Sequence, residues 1–514
     1  MSKTIIIIGA GLAGLSAALQ AAENGCNVKL VSSFPSERAQ SVMAEGGINA
    51  ALNTKDENDS PEEHFTDTIK AACGLADPNA VWGMTQAAPE LVHWLLKLGV
   101  QFNMSGYDNV DLRNFGGQKK KRTAFAQSDT GKQIMTAMID AVRRKEASGM
   151  VERFSHHSFL TLRLCDNICC GCVIRDEYSQ ETVELPGDAV IVATGGMHGL
   201  FGNTTGSLSN TGEVTAELFR LGVSLANGEM IQYHPTTVKC GGKRMLISEA
   251  ARGEGGRLFA MKDGKQWYFM EEKYPELGNL MPRDITAREI WKVSHESEVF
   301  LDMTEISDEI ISNKLSGLAD DCMTYLHKDI RKEPVSVLPG IHYFMGGILV
   351  DEQHRTPIQN LYAAGECCAQ YHGANRLGGN SLLGALYGGR VAAKSACEQA
   401  DVVDLSCATQ IDFPPASQIS EIKQLNKVMQ ETMGVVRNEN TLLNGIQTVQ
   451  ALTGNLPLLG MAVLKSALAR KESRGAHWRE DYPKSNDDDY LKTTVARFDG
   501  KQIQISFVPV PERR

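Results

Sequence analysis

The apolar residues of this chain group into short β-branched runs up to Glu398 and into helical periodicity beyond it. Thr4-Ile5-Ile6-Ile7-Ile8 has the uninterrupted apolar character of a strand buried on both faces, and Gly9-Ala10-Gly11-Leu12-Ala13-Gly14 follows it directly. An alanine-rich segment to Glu23 predicts a helix, Gly25 its end, and Asn27 to Val31 a second strand. Ala189-Val190-Ile191-Val192 is a further buried run that ends in glycines, and Asn360 to Cys367 reads as strand then turn. Between Gln232 and Val335 the glycine-led strands give way to shorter mixed elements. Past Glu398, the segments Gln418 to Met433, Glu439 to Leu452 and Leu458 to Leu468 carry amphipathic helical spacing and predict a small bundle. The alternation places the chain in the α/β class.

Residues 4–31 have the strand, glycine turn, helix order of a dinucleotide-binding βαβ unit. Gly9 permits the tight turn, Gly11 lets backbone N–H groups reach a pyrophosphate, and Gly14 lets helix and strand pack closely. The second strand ends Val31-Ser32-Ser33, where a nicotinamide-binding fold places Asp or Glu for the ribose. FAD is therefore favoured over NAD, with Ser32 among the candidate cofactor contacts.

At 514 residues the chain has room for about three domains. Its net charge of −10 argues against nucleic acid or an anionic membrane surface as the main partner, so an anionic substrate would need a local cluster of Arg and His. No apolar stretch approaches the roughly 20 residues that span a bilayer, and no basic segment precedes the first strand. The expected location is cytoplasmic, with any membrane association peripheral, on the inner face, through partner subunits. Twelve cysteines without a disulfide-like spacing fit reduced thiols. The cluster Cys165, Cys169, Cys170, Cys172 could suggest an iron-sulfur site, but Phe159 to Leu164 and Val173 to Ile174 flank Asp166-Asn167 as two strands and a turn, so buried hairpin thiols are the favoured reading.

Several segments carry recognisable chemistry. Ser41-Val42-Met43-Ala44-Glu45-Gly46-Gly47-Ile48-Asn49 follows the second strand. Asp111-Leu112-Arg113-Asn114-Phe115-Gly116-Gly117-Gln118, His234-Pro235-Thr236, Ser248-Glu249-Ala250-Ala251-Arg252-Gly253-Glu254-Gly255-Gly256 and Pro282-Arg283-Asp284 come next. His342-Tyr343-Phe344-Met345-Gly346-Gly347 and His372 to Leu382 complete the set. In this order they resemble the flavoprotein subunits of succinate dehydrogenase and fumarate reductase, with L-aspartate oxidase as a close relative, and the likeness extends to the C-terminal Lys471 to Pro483.

The resemblance implies a Rossmann-like FAD-binding domain (1–231 and 336–398), an inserted α+β capping domain (232–335) and a C-terminal helical domain (399–514). It implies FAD contacts at Gly9, Gly11, Gly14, Ser32, Ser41, Gly46, Gly47, Thr194, Gly195, Glu366, Asn380, Ser381 and Leu382. In the membrane-complex members a His some five residues before the Glu45 position carries FAD covalently; here that position is Gln40, or Ala39 with a one-residue shift, so FAD is expected to bind non-covalently. Asn210-Thr211-Gly212-Glu213 departs from the family's Gly-Asp-Gly at one FAD contact.

By the same likeness, His234 with Ser248 and His342 with Arg376 hold the two carboxylates of fumarate or succinate, and Phe115 lines the dicarboxylate site where aspartate oxidases carry Glu. Planar bidentate donors and imidazoles suit a dianion. Arg283 is the implied proton donor, with Glu249 and Arg252 as the relay that restores its proton. The implied activity interconverts fumarate and succinate, with fumarate reduction favoured because a non-covalent flavin should have the lower potential. Electrons would come through a separate iron-sulfur subunit. L-aspartate oxidase and a reductase of another α,β-unsaturated carboxylate remain alternatives; Phe344 and Thr237, which differ from the commonest family residues, keep the second open. The charge run Lys119-Lys120-Lys121-Arg122 reads as a solvated loop.

Overall fold

In a computed structural model, residues 2–106, 109–207, 209–400, 411, 413 and 418–514 are described. The chain is built on β1 (Thr4–Ile8), α1 (Leu12–Glu23) and β2 (Asn27–Ser32), the βαβ start expected from the sequence. β1 lies at the centre of a five-stranded parallel sheet, ordered Leu361–Ala363, Ala189–Val192, β1, β2, Val151–Ser155. Both faces of β1 are covered: Ile5 and Ile7 pack with α1, while Ile6 and Ile8 join Val190, Val192 and Leu361 on the opposite side. An uninterrupted apolar run is what such a strand requires. Helix Asn380–Gln399 lies against α1, where Ser16 Oγ donates to Leu386 O at 2.7 Å.

The glycine turn shows why each glycine is there. Gly9 has φ 110°, and a Cβ on it would stand 2.3 Å from Ala193 O; a Cβ on Gly14 would stand 1.8 Å from Gly9 O. At Gly11 the nearest atoms to an added Cβ are Ala39 Cβ at 3.7 Å and Ser41 Oγ at 3.8 Å, so the space over this turn is open.

A three-stranded sheet (Lys243–Leu246, Ile231–Cys240, Leu338–Phe344) and a four-stranded one (Lys265–Trp267, Arg257–Lys262, Val299–Asp302, Val335–Ser336) form the inserted part, with helix Arg283–Val293 packed on Ile231–Cys240. Strand pairing here runs past residue 335, because Leu338–Phe344 is hydrogen-bonded to Ile231–Cys240. The C-terminal helices Ile419–Thr432, Glu439–Val449 and Asn455–Ala469 share one apolar core.

Three expectations are corrected. The C-terminal part is not wholly helical: Lys492–Phe498 and Ile503–Pro509 form an antiparallel hairpin that pairs with Leu225–Ala226, because Thr493-Thr494-Val495 is β-branched and the short strand offers it an edge. Arg122 is not a solvated loop residue; it is fully buried between Asp59 (2.9 Å) and Asp67 (3.0 Å), two carboxylates that satisfy its charge inside the fold. Strands His157–Cys165 and Ile168–Asp176 do form the expected hairpin, turning at Asp166 and Asn167 (φ 48° and 65°), and Cys169, Cys170 and Cys172 are buried free thiols in it. Cys165, half-buried at the strand end, is disulfide-bonded, against the expectation of reduced thiols. Among the described residues no helix is long and apolar enough to cross a membrane.

Candidate active site

One continuous cavity of about 1160 Å³ runs from the glycine turn to the inserted sheets. At one end it is lined by Gly9, Gly11, Ser32, Ser41, Gly46, Gly47, Thr194 and Gly195; at the other by Phe115, His234, Ser248, Glu249, Arg283, His342 and Arg376, with Glu366, Ser381 and Leu382 also on its wall. The volume exceeds what a small acid alone would need and suits a dinucleotide beside a small ligand. An open Gly11, the N-terminus of α1 and no acidic residue at the end of β2 fit the pyrophosphate and ribose of FAD.

Two expected contacts lie off the cavity. Gly14 serves the packing of α1 on β1. Asn380, at the first turn of its helix, faces backwards: its Oδ1 accepts from Asn49 Nδ2 (2.7 Å) and lies 2.9 Å from His64 Nε2, and its Nδ2 donates to Thr68 Oγ1 at 3.0 Å. It supports the Gly378-Gly379 wall from behind, where a buried amide finds its full set of partners.

At the substrate end, Arg283 opens its helix and presents its guanidinium edge to Glu249, with Nε at 2.8 Å and Nη2 at 2.6 Å from Oε2. Glu249 Oε1 accepts from Gly116 N at 3.0 Å and lies 3.4 Å from Arg252 Nη2, one turn further along the same short helix. Arg252 stands behind the cavity wall and donates from Nη1 to Asn279 O at 2.6 Å. Burial works to raise the Glu249 carboxyl, but Arg283 and Arg252 outweigh it and hold the group below its ordinary value. The three side chains thus form a buried line, cation, anion, cation, leading away from the cavity.

Opposite stands Arg376, 3% exposed, its guanidinium 4.4 Å over the Tyr343 ring. Its Nε has no hydrogen-bond partner, and no carboxylate among the described residues pairs with it. Burial, and then Arg283, push this guanidinium down to about 9. A buried cation in this state is a receptor for an anion. His234 and His342 approach edge to face with ring centroids 5.1 Å apart. Burial, followed by Arg283, holds both well below the ordinary imidazole value, so both are neutral at pH 7. His342 Nδ1 lies 2.8 Å from Thr205 Oγ1, and His234 Nδ1 lies 3.1 Å from Thr236 O and 3.3 Å from Thr236 N, so Nδ1 of each ring is held within the fold and Nε2 is the nitrogen left for a ligand. Ser248 caps the helix of Glu249, Oγ accepting from Ala250 N at 3.4 Å. Phe115 closes the wall between Gly46 and Gly378, where an added Cβ would meet its ring at 2.9 Å on either side. Glu366 Oε1 accepts from Phe344 N at 3.1 Å.

Sequence reasoning missed Gln232 and Thr205. Gln232 Oε1 accepts from Arg283 Nη1 (3.1 Å), and its Nε2 donates to Asn375 Oδ1 (3.0 Å) and Arg376 O (2.8 Å), tying the segment of Arg283 to that of Arg376. Its position two residues before His234 on one strand was a usable signal. Thr205 lies in a Gly/Ser/Thr/Asn-rich loop, which offers none.

Residues 4–382 match the FAD binding domain family and residues 452–513 the fumarate reductase flavoprotein C-terminal family. The chain is 38% identical to the succinate dehydrogenase flavoprotein subunit of Bacillus subtilis, covering 100% of this chain and 98% of that one. It is 32% identical to the 8-methylmenaquinol:fumarate reductase flavoprotein subunit of Wolinella succinogenes (100% and 92% covered) and 31% to the L-aspartate oxidase of Streptomyces coelicolor (100% and 94%). Its fold superposes on FrdA of E. coli quinol fumarate reductase, solved as a point variant, with a TM-score of 0.89 at 27% identity over 99% of this chain and 97% of the other. With the cavity fitted to FAD and matches of this extent, the chain belongs to the FAD-dependent oxidoreductase family of succinate dehydrogenase and fumarate reductase flavoprotein subunits.

Proposed function

We propose that the protein interconverts fumarate and succinate, reduction of fumarate being its main direction. The observation that carries this reading is Arg376, a buried cation without a counter-ion, facing the Arg283, Glu249, Arg252 line across one cavity. Arg376 and His342 hold one carboxylate; His234 and the Ser248 hydroxyl hold the other. Binding at both ends is used to twist a carboxylate out of conjugation, which makes the adjacent double bond electrophilic. FAD held at the glycine-turn end of the cavity by residues such as Gly11, Ser41 and Ser381 would supply a hydride to one alkene carbon. Arg283 gives a proton to the other carbon, which has become carbanion-like and so can accept from a guanidinium. Glu249, a carboxylate at rest, takes a proton from Arg252 and passes it to Arg283, and Arg252 regains its proton from water, so the acid is restored from the side away from the substrate. In succinate oxidation the same groups run in reverse.

Gln40 at the linkage position, its Oε1 accepting from Ser207 N at 2.5 Å, supports non-covalent FAD. The absence of a linkage favours reduction over oxidation. An iron-sulfur subunit is the proposed electron donor, and peripheral attachment to the inner face of a membrane would follow from it. The test is turnover of the purified protein with reduced viologen and fumarate, against oxygen consumption with L-aspartate. Fumarate-dependent viologen oxidation is expected; aspartate-dependent oxygen uptake without it would make the protein an aspartate oxidase. Acid precipitation should release the FAD into the supernatant, and yellow colour retained in the pellet would contradict the non-covalent reading.

A further inference from the structure

The cavity has a basic lip that this chemistry does not use. Strand Ile231–Cys240 turns at Gly241-Gly242 into Lys243–Leu246, and the hairpin carries Lys239, Lys243 and Arg244 with no Asp or Glu between Gln232 and Ser248. Cys240, Lys243, Arg244, Met245 and Leu246 all line the cavity. Arg244 is half-buried, and every hydrogen bond of its side chain goes to an uncharged oxygen: Nε to Thr237 Oγ1 at 2.5 Å, Nη2 to Thr237 O and Leu338 O, each at 3.3 Å. No carboxylate among the described residues pairs with it. A half-desolvated guanidinium on neutral acceptors retains its full attraction for an incoming anion.

Its position ties it to the site. Arg244 N donates to Thr204 O at 3.1 Å, next to the Thr205 that holds His342. The guanidinium covers Gly340, two residues from His342 on the same strand; a Cβ there would lie 2.6 Å from Arg244 Nε. The protein as a whole carries −10, so a dianion is repelled at long range and needs a local positive field at the mouth to reach Arg376.

We propose that Arg244, assisted by Lys243, is a capture subsite for a C4 dicarboxylate dianion, taking one carboxylate at the cavity mouth before the ligand passes to His342 and Arg376. The inference rests on the dicarboxylate reading above. Arg244 acts on arrival and departure of the ligand and takes no part in hydride or proton transfer, so its effect belongs in kcat/KM and in the salt dependence, not in the limiting rate.

The test uses the full-length holo-flavoprotein, photoreduced without oxygen and mixed with fumarate at ionic strengths from about 20 mM to about 500 mM. Arg244→Gln should lower the second-order rate of flavin reoxidation about five- to tenfold at the low end and less than about twofold at the high end, with a flatter salt slope. The limiting rate at saturating fumarate should stay within about twofold of wild type. Arg244→Lys should restore most of the loss, and Lys243→Gln should show a smaller loss of the same form, which guards against a fold defect in one variant. Equal second-order rates with the wild-type salt slope would overturn the proposal. So would a salt-independent fall in the limiting rate, which would make Arg244 a support for His342. If the variants react normally as free flavoprotein and lose only association with an iron-sulfur protein, the lip is a docking surface and the capture role is wrong. Failure of the wild type itself to react with fumarate would instead strike the dicarboxylate reading.

Discussion

Replacing Arg376 by Met separates function from stability in a way few site residues allow. The guanidinium is buried at 3% exposure, unpaired at Nε, and pushed down to about 9 by burial and by Arg283. A fall of that size from the ordinary guanidinium range corresponds to a cost on the order of 5 kcal/mol for keeping the charge in the empty cavity. Part of this is offset by the Tyr343 face at 4.4 Å, a contact of about 1–2 kcal/mol that Met largely gives up. The ligand-free variant should therefore be more stable than wild type by about 3–4 kcal/mol. Dicarboxylate binding should suffer in the opposite sense: losing one buried charge partner costs about 3–5 kcal/mol, a hundredfold or more in Kd. Urea unfolding of the holoenzyme with and without succinate reads both. Wild type should gain stability on adding succinate and the variant should not. A variant that unfolds at lower urea and still binds succinate normally would refute the claim that Arg376 is an anion receptor awaiting its ligand.

Acid should unfold this protein early. His64 is lowered to about 3 and His354 to about 4, and His234, His342, His372 and His477 also lie well below the ordinary value, all principally through burial. The unfolded chain takes up protons on these groups near pH 6.5 while the native state does not. Stability is thus full above about pH 6.5 and falls as the pH drops, His64 and His354 each removing about 2 kcal/mol by pH 5 and the other four acting in the same direction. Circular dichroism against pH should show unfolding near pH 5; a native signal at pH 4 would contradict the neutral assignments. The two turn glycines should fail differently. Gly11→Ala, with no atom closer than 3.7 Å to its new methyl, should fold and lose FAD, whereas Gly14→Ala, 1.8 Å from Gly9 O, should not give soluble protein; flavin content and yield on purification separate the two.

The residues of the candidate site were easier to single out in the sequence than the frame around them. Short motifs with a chemical reason, such as Pro282-Arg283-Asp284 or Glu249 three residues before Arg252, survive as local strings, and the fold brings Arg283 and Glu249 to one cavity with Arg252 behind its wall. The parallel sheet was legible because Thr4–Ile8 and Ala189–Val192 are apolar on both faces. The C-terminal hairpin was not: Lys492–Phe498 mixes charged and β-branched residues and becomes a strand through its pairing with Leu225–Ala226, which lies far away in sequence. Arg122 misled for a related reason, since a run of basic residues looks solvated until Asp59 and Asp67 arrive from another segment. Gln232 shows the same limit at the site, because an amide's role depends on three partners that only the fold assembles.

The most direct measurement is single-turnover reoxidation of the reduced flavoprotein by fumarate, without oxygen, in wild type and Arg283→Ala. The account predicts rapid reoxidation with a solvent isotope effect in wild type, and a fall of about 10²–10⁴-fold or more in the variant while succinate still perturbs the oxidised flavin spectrum. Undiminished reoxidation in Arg283→Ala would show that the proton reaches the substrate by another path and that the buried Arg283, Glu249, Arg252 line has only a structural part.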